Sequence, residues 1–301
     1  MGPFRLSQFH IEAARNSTDD FNLFHDKNRW NWIRSNPFKG PIALGFQLGC
    51  FIETQIERVE LSVTFDAVEK RDDYPFSVFE FTFAGVVNPG DELSLEVKPG
   101  KLSQTDHGRV YSNRLLLKAN GKAVILGFKR ESEFCAIDLP EHFPKNIDWG
   151  RRADRTFDAA SEYFLKRKYM IVGNAKNFLT SAFAEQSDYI DEFADKVRFP
   201  QMYPMSLLSS ALLERAQAIE HDLIDDPMIY ANHKLCIDKR QLSNLSSNDV
   251  LNIVVSPEIQ ESTSDHKVSH ICAGYSKENT PLFIAQIVLL PLSALLEKGQ
   301  K

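Results

Sequence analysis

The sequence predicts an α+β protein built from two similar halves. Three observations predict it. Ile42 to Val59 is apolar nearly all round, the mark of a helix buried at the centre of a domain. Segments of alternating apolar and polar residues follow, as in antiparallel strands with one covered face. From about residue 159 the same order of loop, proline turn, apolar helix and strands returns.

The bulk composition fits this. The chain has 301 residues, 43% hydrophobic and 25% charged, enough for two domains with full cores. A net charge of −6 gives no basic surface for nucleic acid. Phenylalanine, at 22 residues against 8 tyrosines, favours apolar interiors. Cys50, Cys135, Cys236 and Cys272 are far apart, each in an apolar run, and are expected to be buried reduced thiols of a cytoplasmic protein. The N-terminus lacks a basic region followed by an apolar stretch, so no signal peptide is expected. The longest apolar run, Pro281 to Leu296, is broken by Gln286, Pro291 and Ser293 and is too short to span a bilayer.

In chain order, Phe4 to Arg15 is expected as a helix capped by Ser7. Asn16 to Asp20 is turn chemistry, and Asp20 to His25 is irregular backbone. Lys27 to Lys39 carries Arg29, Trp30, Trp32 and Arg34; it is either a solvated loop whose tryptophans pack on the domain, or a lid or phosphate-facing rim. Gly40-Pro41 opens the apolar helix. Ser77 to Phe83 and Glu92 to Lys98 alternate about the turn Asn88-Pro-Gly-Asp91. Gly100 to Gly108 is polar. Tyr111 to Ala119 and Lys122 to Lys129 form a hairpin about Asn120-Gly121.

The proline- and charge-rich stretch from Glu131 to Asp158 is expected to be a connector. The division is a first half 1–135, a linker 136–158 and a second half 159–301. In the second half, Tyr163 to Val172 is helix or strand. Phe199-Pro200 leads into a helix from Met205 to Glu220. Strands follow at Tyr230–Asp238, Asp249–Pro257, Lys267–Tyr275 and Leu282–Leu290.

The residues with chemistry cluster early. Asp20, Asn22 and His25 put an acid, an amide and an imidazole within six residues. An acid and an imidazole held close can divide a proton transfer, each contributing roughly 10²–10⁴-fold. The backbone N–H of Gly45, early in a buried helix, is a donor for developing negative charge. The alternative is that Asp20 and Asn22 close a turn and His25 fills a polar gap. His266 and His270 can share a strand face, but no third ligand is near, so a structural or exposed role is expected. Arg151, Arg152, Arg155 and Lys166-Arg-Lys168 are either a solvated face or a dock for phosphates or an acidic carrier.

Asp20-Phe-Asn-Leu-Phe-His25 resembles the Asp-x-Asn-Pro-x-His signature of the MaoC-like hydratases, the (R)-specific enoyl-thioester hydratases. Phe38-Lys-Gly-Pro-Ile-Ala-Leu-Gly-Phe46 resembles their Pro-Ile-x-His-Gly-Met segment, and Phe79 to Lys98 their strand, Gly-Asp, strand passage. The resemblance runs over residues 5 to 130. It implies tandem hotdog units, each a central helix wrapped by an antiparallel sheet, forming a pseudo-dimer in which one half keeps the chemistry and the other shapes the acyl tunnel. It implies a hydro-lyase that adds water syn to a trans-2-enoyl thioester, or removes it from an (R)-3-hydroxyacyl thioester, with no metal or redox cofactor. The substrate would be an acyl-CoA or acyl-carrier-protein thioester, in fatty acid or polyketide metabolism.

By the resemblance, Asp20 and His25 are the catalytic pair, Asn22 orients them and Gly45 is the oxyanion donor. Gly40, Ile42, Phe46 and Trp30 are the expected substrate-binding positions. Leu23 replaces the family's proline and Leu44 the histidine before the glycine. The second half has Ala184-Glu-Gln-Ser-Asp-Tyr where the motif would lie. Two other readings stay open: a hotdog module that binds an acyl group or a partner without catalysis, and a hotdog thioesterase. The chain could also pair as a homodimer.

Overall fold

A computed structural model describes residues 4–62, 74–144, 147–148, 153–262, 266–276 and 280–298. Arg151 and Arg152 lie outside them. The first half comprises β1 (Phe4–Arg5), α1 (Gln8–Thr18), α2 (Gly45–Ser62), β2 (Phe76–Phe83), β3 (Glu92–Val97), β4 (Lys101–Thr105), β5 (Gly108–Ala119) and β6 (Lys122–Ser132). After β7 (Arg155–Phe157) come β8 (Phe164–Tyr169), α3 (Val172–Ser181), the short pair β9 (Ile190–Asp191) and β10 (Lys196–Val197), α4 (Met202–Ser206) and α5 (Leu208–Ala218). The chain continues with β11 (Met228–Asp238), α6 (Lys239–Ser243), β12 (Val250–Val255), β13 (Ile259–Ser262), β14 (Lys267–Tyr275), β15 (Pro281–Pro291) and α7 (Leu292–Lys298).

Thirteen strands form one antiparallel sheet. The halves meet at a seam where β2 pairs with β11, from Thr82 opposite Asn232 to Phe76 opposite Asp238. Outward from the seam, the first half runs β2, β6, β5, β3, β1 and the second runs β11, β15, β14, β12, β8. Even the extra strands correspond, since β4 pairs with β5 and β13 with β14. The duplication expected from element order is thus present in the sheet. The linker does not stand clear of the body. Its last residues form β7 on β8, and Ile137 and Phe143 are buried in small apolar clusters.

The central helices form as the sequence dictates, with shifted ends. Every residue from Ile42 to Thr54 is buried. The helix nevertheless starts at Gly45. Ile42 N–H donates to Phe24 O (2.9 Å) and Ala43 N–H to Val87 O (2.8 Å), which holds residues 42–43 extended. The expected helix at Phe4 is also late. Phe4 and Arg5 pair with Leu93 and Glu92, and α1 begins after Ser7, whose backbone N–H donates to His10 Nδ1 (3.0 Å). The helix expected over Met205–Glu220 starts earlier, at Met202, and is interrupted at Leu207. Tyr163–Val172 contains a strand. The polar stretch 100–108 is half of a hairpin, because β4 finds its partners in β5 rather than in apolar burial. At the Asn120-Gly121 turn both residues have positive φ (47° and 78°), as a two-residue hairpin requires.

The basic cluster of the second half is tied up within the fold. Buried Lys166 pairs with Glu214 (3.2 Å), Arg155 joins the same carboxylate (3.1 Å), and Lys168 pairs with Asp19 (2.9 Å). The four cysteines are free; Cys50, Cys236 and Cys272 are buried, but Cys135 is only half-buried, since it lies beyond the end of β6. No helix among the described residues is long and apolar enough to cross a membrane.

Candidate active site

The site begins where α1 stops. Asp19 adopts a left-handed conformation (φ 54°), and Asp20 N–H donates back to Arg15 O (3.1 Å), so the chain turns sharply out of the helix. Asp20 Oδ1 then accepts the backbone N–H of Asn22 (2.9 Å), and Asn22 Oδ1 accepts that of Phe24 (3.1 Å). These two short-range bonds wind Leu23 to His25 into a single 3₁₀ turn. The turn forms with Leu23 where the family pattern has proline. Arg15 clamps the segment from the helix side through Asp20 O (3.3 Å) and Asp26 Oδ2 (3.0 Å).

Asp20 and His25 are both buried, at 4% and 5% exposure. His25 Nδ1 lies 2.8 Å from Ile42 O. A carbonyl only accepts, so Nδ1 carries the proton and Nε2 presents a lone pair. Burial lowers the His25 pKa from the ordinary 6.5; the Asp20 carboxylate and the bond to Ile42 oppose this, and Arg15 adds to it. The ring is a neutral base at neutral pH, with the carboxylate near enough to stabilise its protonated form.

Both side chains face a cavity of about 870 Å³, a normal size for a small-ligand site. Its wall also takes Asn22, Ile42 and Gly45. Gly45 opens α2, whose first-turn N–H groups fall outside the helical bonding ladder. A Cβ at Gly45 would lie 3.0 Å from the Phe83 ring and 3.2 Å from that of Tyr230, so only glycine fits there without displacing the wall. Leu44, where the family pattern has histidine, is buried, and its N–H donates to Gln47 Oε1 (3.3 Å).

The remaining sequence candidates are placed differently. Gly40, Trp30 and Phe46 are not part of the cavity wall. One residue on from Gly45, Phe46 is turned about 100° round the helix, and it stacks on His233 at 4.7 Å between ring centres. Trp30 is held in a 3₁₀ turn in which Asn36 Nδ2 donates to its carbonyl (2.9 Å). Its neighbour Trp32 does line the cavity, with Arg29 stacked over its ring at 5.1 Å. This loop is fastened to the second half, since Arg34 N–H donates to Ile224 O (3.1 Å).

Much of the wall comes from the second half, where sequence reasoning named only His266 and His270, and those for a structural or exposed role; both line the cavity. Tyr230 OH and Ser209 Oγ are hydrogen-bonded at 2.8 Å. Burial and the Asp20 charge both push the Tyr230 hydroxyl pKa up. Arg215 and His270 also line the cavity. One signal for Arg215 was legible: a charge in the middle of the apolar helix Met205–Glu220.

The second half repeats the turn with different side chains. Its corresponding turn follows α3, where Phe183 is left-handed (φ 58°) and Gln186–Asp188 form the 3₁₀ turn. The sequence there supplies neither the acid nor the imidazole at the corresponding places. The N–H groups opening α4 are taken as well. The Glu53 carboxylate accepts Gln201 N–H (2.7 Å) and Met202 N–H (2.9 Å).

No family model and no curated protein matches the chain by sequence. Solved structures do match. A MaoC-like dehydratase superposes with a TM-score of 0.59 at 12% identity, over 96% of this chain and 95% of that one. A Mycobacterium tuberculosis protein described as a double hotdog gives 0.57 at 11% identity, over 97% and 94%.

The chain has the double hotdog fold.

A third match is the full-length peroxisomal multifunctional enzyme type 2 of Drosophila melanogaster, with a TM-score of 0.54 at 10% identity, over 96% of this chain and 48% of that one.

Proposed function

We propose that the chain is a hydro-lyase acting on acyl thioesters, with one active site in its first half, at 1–135, served by the second, at 159–301. The carrying observation is the neutral His25, with Nδ1 committed to Ile42 O and Nε2 free, buried beside Asp20 in a cavity that Gly45 also lines. The likeness in fold to MaoC-like dehydratases and to the peroxisomal multifunctional enzyme supports the reading.

In the hydration direction, a water between Asp20 and His25 gives a proton to Nε2 while its oxygen bonds to C3 of a trans-2-enoyl thioester. The electrons of the double bond move onto the thioester oxygen, where the Gly45 N–H receives the enolate charge. The imidazolium, steadied by Asp20, returns the proton to C2 from the same face. The net result is syn addition of water to an (R)-3-hydroxyacyl thioester, and dehydration is the reverse. Every step uses side chains and a backbone amide. Asn22 serves as a positioning residue through its backbone bond to Asp20.

The test is turnover of enoyl-CoA by the purified chain and by Asp20→Asn and His25→Ala. Each variant should lose at least about 10²-fold in kcat. Wild-type-like turnover in either would remove the assignment. Tight binding of the thioester without hydration, or release of free thiol, would show instead an acyl-binding module or a thioesterase.

A further inference from the structure

Across the β2–β11 seam, Phe79 and Leu235 stand opposite each other and belong to the main core beneath the central helices. Their neighbours Val78 and Cys236 are also opposite each other and, by the alternation of strands, point to the other face of the sheet. The chain that leaves β6 covers them there. Cys135, Ala136 and Ile137 pack with Val78, Cys236 and Ile284. This packing brings two thiols that are distant in the chain into hydrogen-bond contact, Cys135 with Cys236. Cys50 and Cys272 lie apart from them in the main core, each at 0% exposure.

The two thiols are unequal. Cys236 is 1% exposed and is fixed within β11. Cys135 is half-buried and lies in neither helix nor strand, so small solutes reach it and its backbone is free to shift. When protonated, the Cys135 thiol donates to Ile137 O (3.4 Å). As a thiolate it accepts from the Cys236 thiol, and that bond lowers its pKa to about 7 against the opposing effect of burial. Lys234 assists the thiolate and Asp138 opposes it. The same bond, together with burial, raises the Cys236 thiol. An accessible thiolate beside a protonated thiol has the arrangement of an attacking and a resolving cysteine.

We propose that Cys135 and Cys236 form an oxidation site that closes to a disulfide when hydrogen peroxide reaches Cys135. The Cys135 thiolate attacks one peroxide oxygen. The S–O bond forms, the O–O bond breaks, and the leaving hydroxide takes up a proton to become water. Cys135 is then a sulfenic acid. The Cys236 sulfur attacks the Cys135 sulfur; the S–S bond forms, the S–O bond breaks, and the hydroxyl leaves as water with the Cys236 proton. Two thiols are oxidised and one peroxide is reduced to two waters. The sulfurs must close to about 2.05 Å, a shift that the chain after β6 supplies. The product fastens that chain to the seam strand of the second half, and an added dithiol reverses it. None of this depends on the hydratase reading.

The test treats the full chain, reduced and freed of reductant, with excess hydrogen peroxide at neutral pH for as long as free cysteine needs to be fully oxidised. Thiols titrated after denaturation should fall from four to two, the mass should drop by two hydrogen atoms, and peptide mapping should join Cys135 to Cys236. Dithiothreitol should restore all four. In Cys236→Ser, Cys135 should stop at the sulfenic acid, trapped by dimedone, and Cys135→Ser should lose its remaining thiols at least about tenfold more slowly than the native chain. If a variant does not fold, the mapping of the native chain decides. Retention of all four thiols, a bridge to Cys50 or Cys272 or between two chains, or oxidation of Cys135 without a bridge would overturn the proposal.

Discussion

Replacing Gly45 by alanine sets two physical effects against each other. Gly45 is the first residue of α2 and has no left-handed φ, so alanine meets no backbone strain there. Helix propensity favours alanine by up to about 1 kcal/mol, and less at a first-turn position. The new methyl would lie 3.0 and 3.2 Å from two atoms of the Phe83 ring and 3.2 Å from Tyr230. Such overlap in a packed wall costs about 1–3 kcal/mol, relieved here because the rings border a cavity. Folding stability should therefore drop by no more than about 2 kcal/mol. Catalysis has no such relief. On the proposed mechanism the methyl would displace the thioester oxygen from the Gly45 N–H, and losing one such donor costs about 2.7–4 kcal/mol, or 10²–10³ in kcat. Thermal denaturation and enoyl-thioester hydration, measured on one preparation, check both. A folded Gly45→Ala protein within about threefold of wild-type turnover would refute the oxyanion role.

Three further outcomes are expected. On the proposed mechanism the rate should rise with pH through a value below 6.5 and level off by neutrality, because His25 would act as a neutral base and its pKa is lowered; a rate that falls over that range would contradict the base assignment. The same groups act on stability: His25 and His270, with His233 lowered to about 3 by burial, stay neutral in the fold while their unfolded counterparts protonate below about 6.5. Stability should be fully present above that pH and lost as pH falls, by up to about 1.4 kcal/mol per pH unit for each histidine, and denaturant titrations from pH 7 to 4 measure the slope. Neither ring nitrogen of His233 has a partner among the described residues, and the ring stacks on Phe46, so His233→Phe should stabilise the protein by about 1–3 kcal/mol, read as a higher denaturation midpoint. Burial and then Glu57 raise the Glu53 pKa to about 8, against the two N–H bonds that lower it. Glu53 therefore costs stability increasingly as pH rises from about 4.5 to 8, and Glu53→Gln should flatten that decline; an unchanged pH dependence would show that the two N–H bonds dominate.

The sequence alone determined the features set by local chemistry. An apolar run long enough for a helix becomes a buried helix wherever it packs, and an Asn-Gly pair makes the same hairpin turn anywhere. Asp20 and Asn22 were legible because each side chain bonds to backbone two residues on, an interaction that spacing encodes; His25 was legible only through the motif it completes, since its ring bonds to Ile42 O, farther along the chain. The repeat was visible for the same reason, as an order of elements. Helix ends were not, because β1 and the extended residues 42–43 are held by partners some 20 to 90 residues distant. Tertiary structure decided which side chains face the cavity. Phe46 was turned away by one step of the helix, while Tyr230, Ser209, Arg215 and His270 were brought in from the other half by the β2–β11 seam. It also decided that the N–H groups opening α4 are occupied from within the fold. Residues 53 and 201 are far apart in the chain, and only the packing of α2 on α4 puts the Glu53 carboxylate on the amides of the second half.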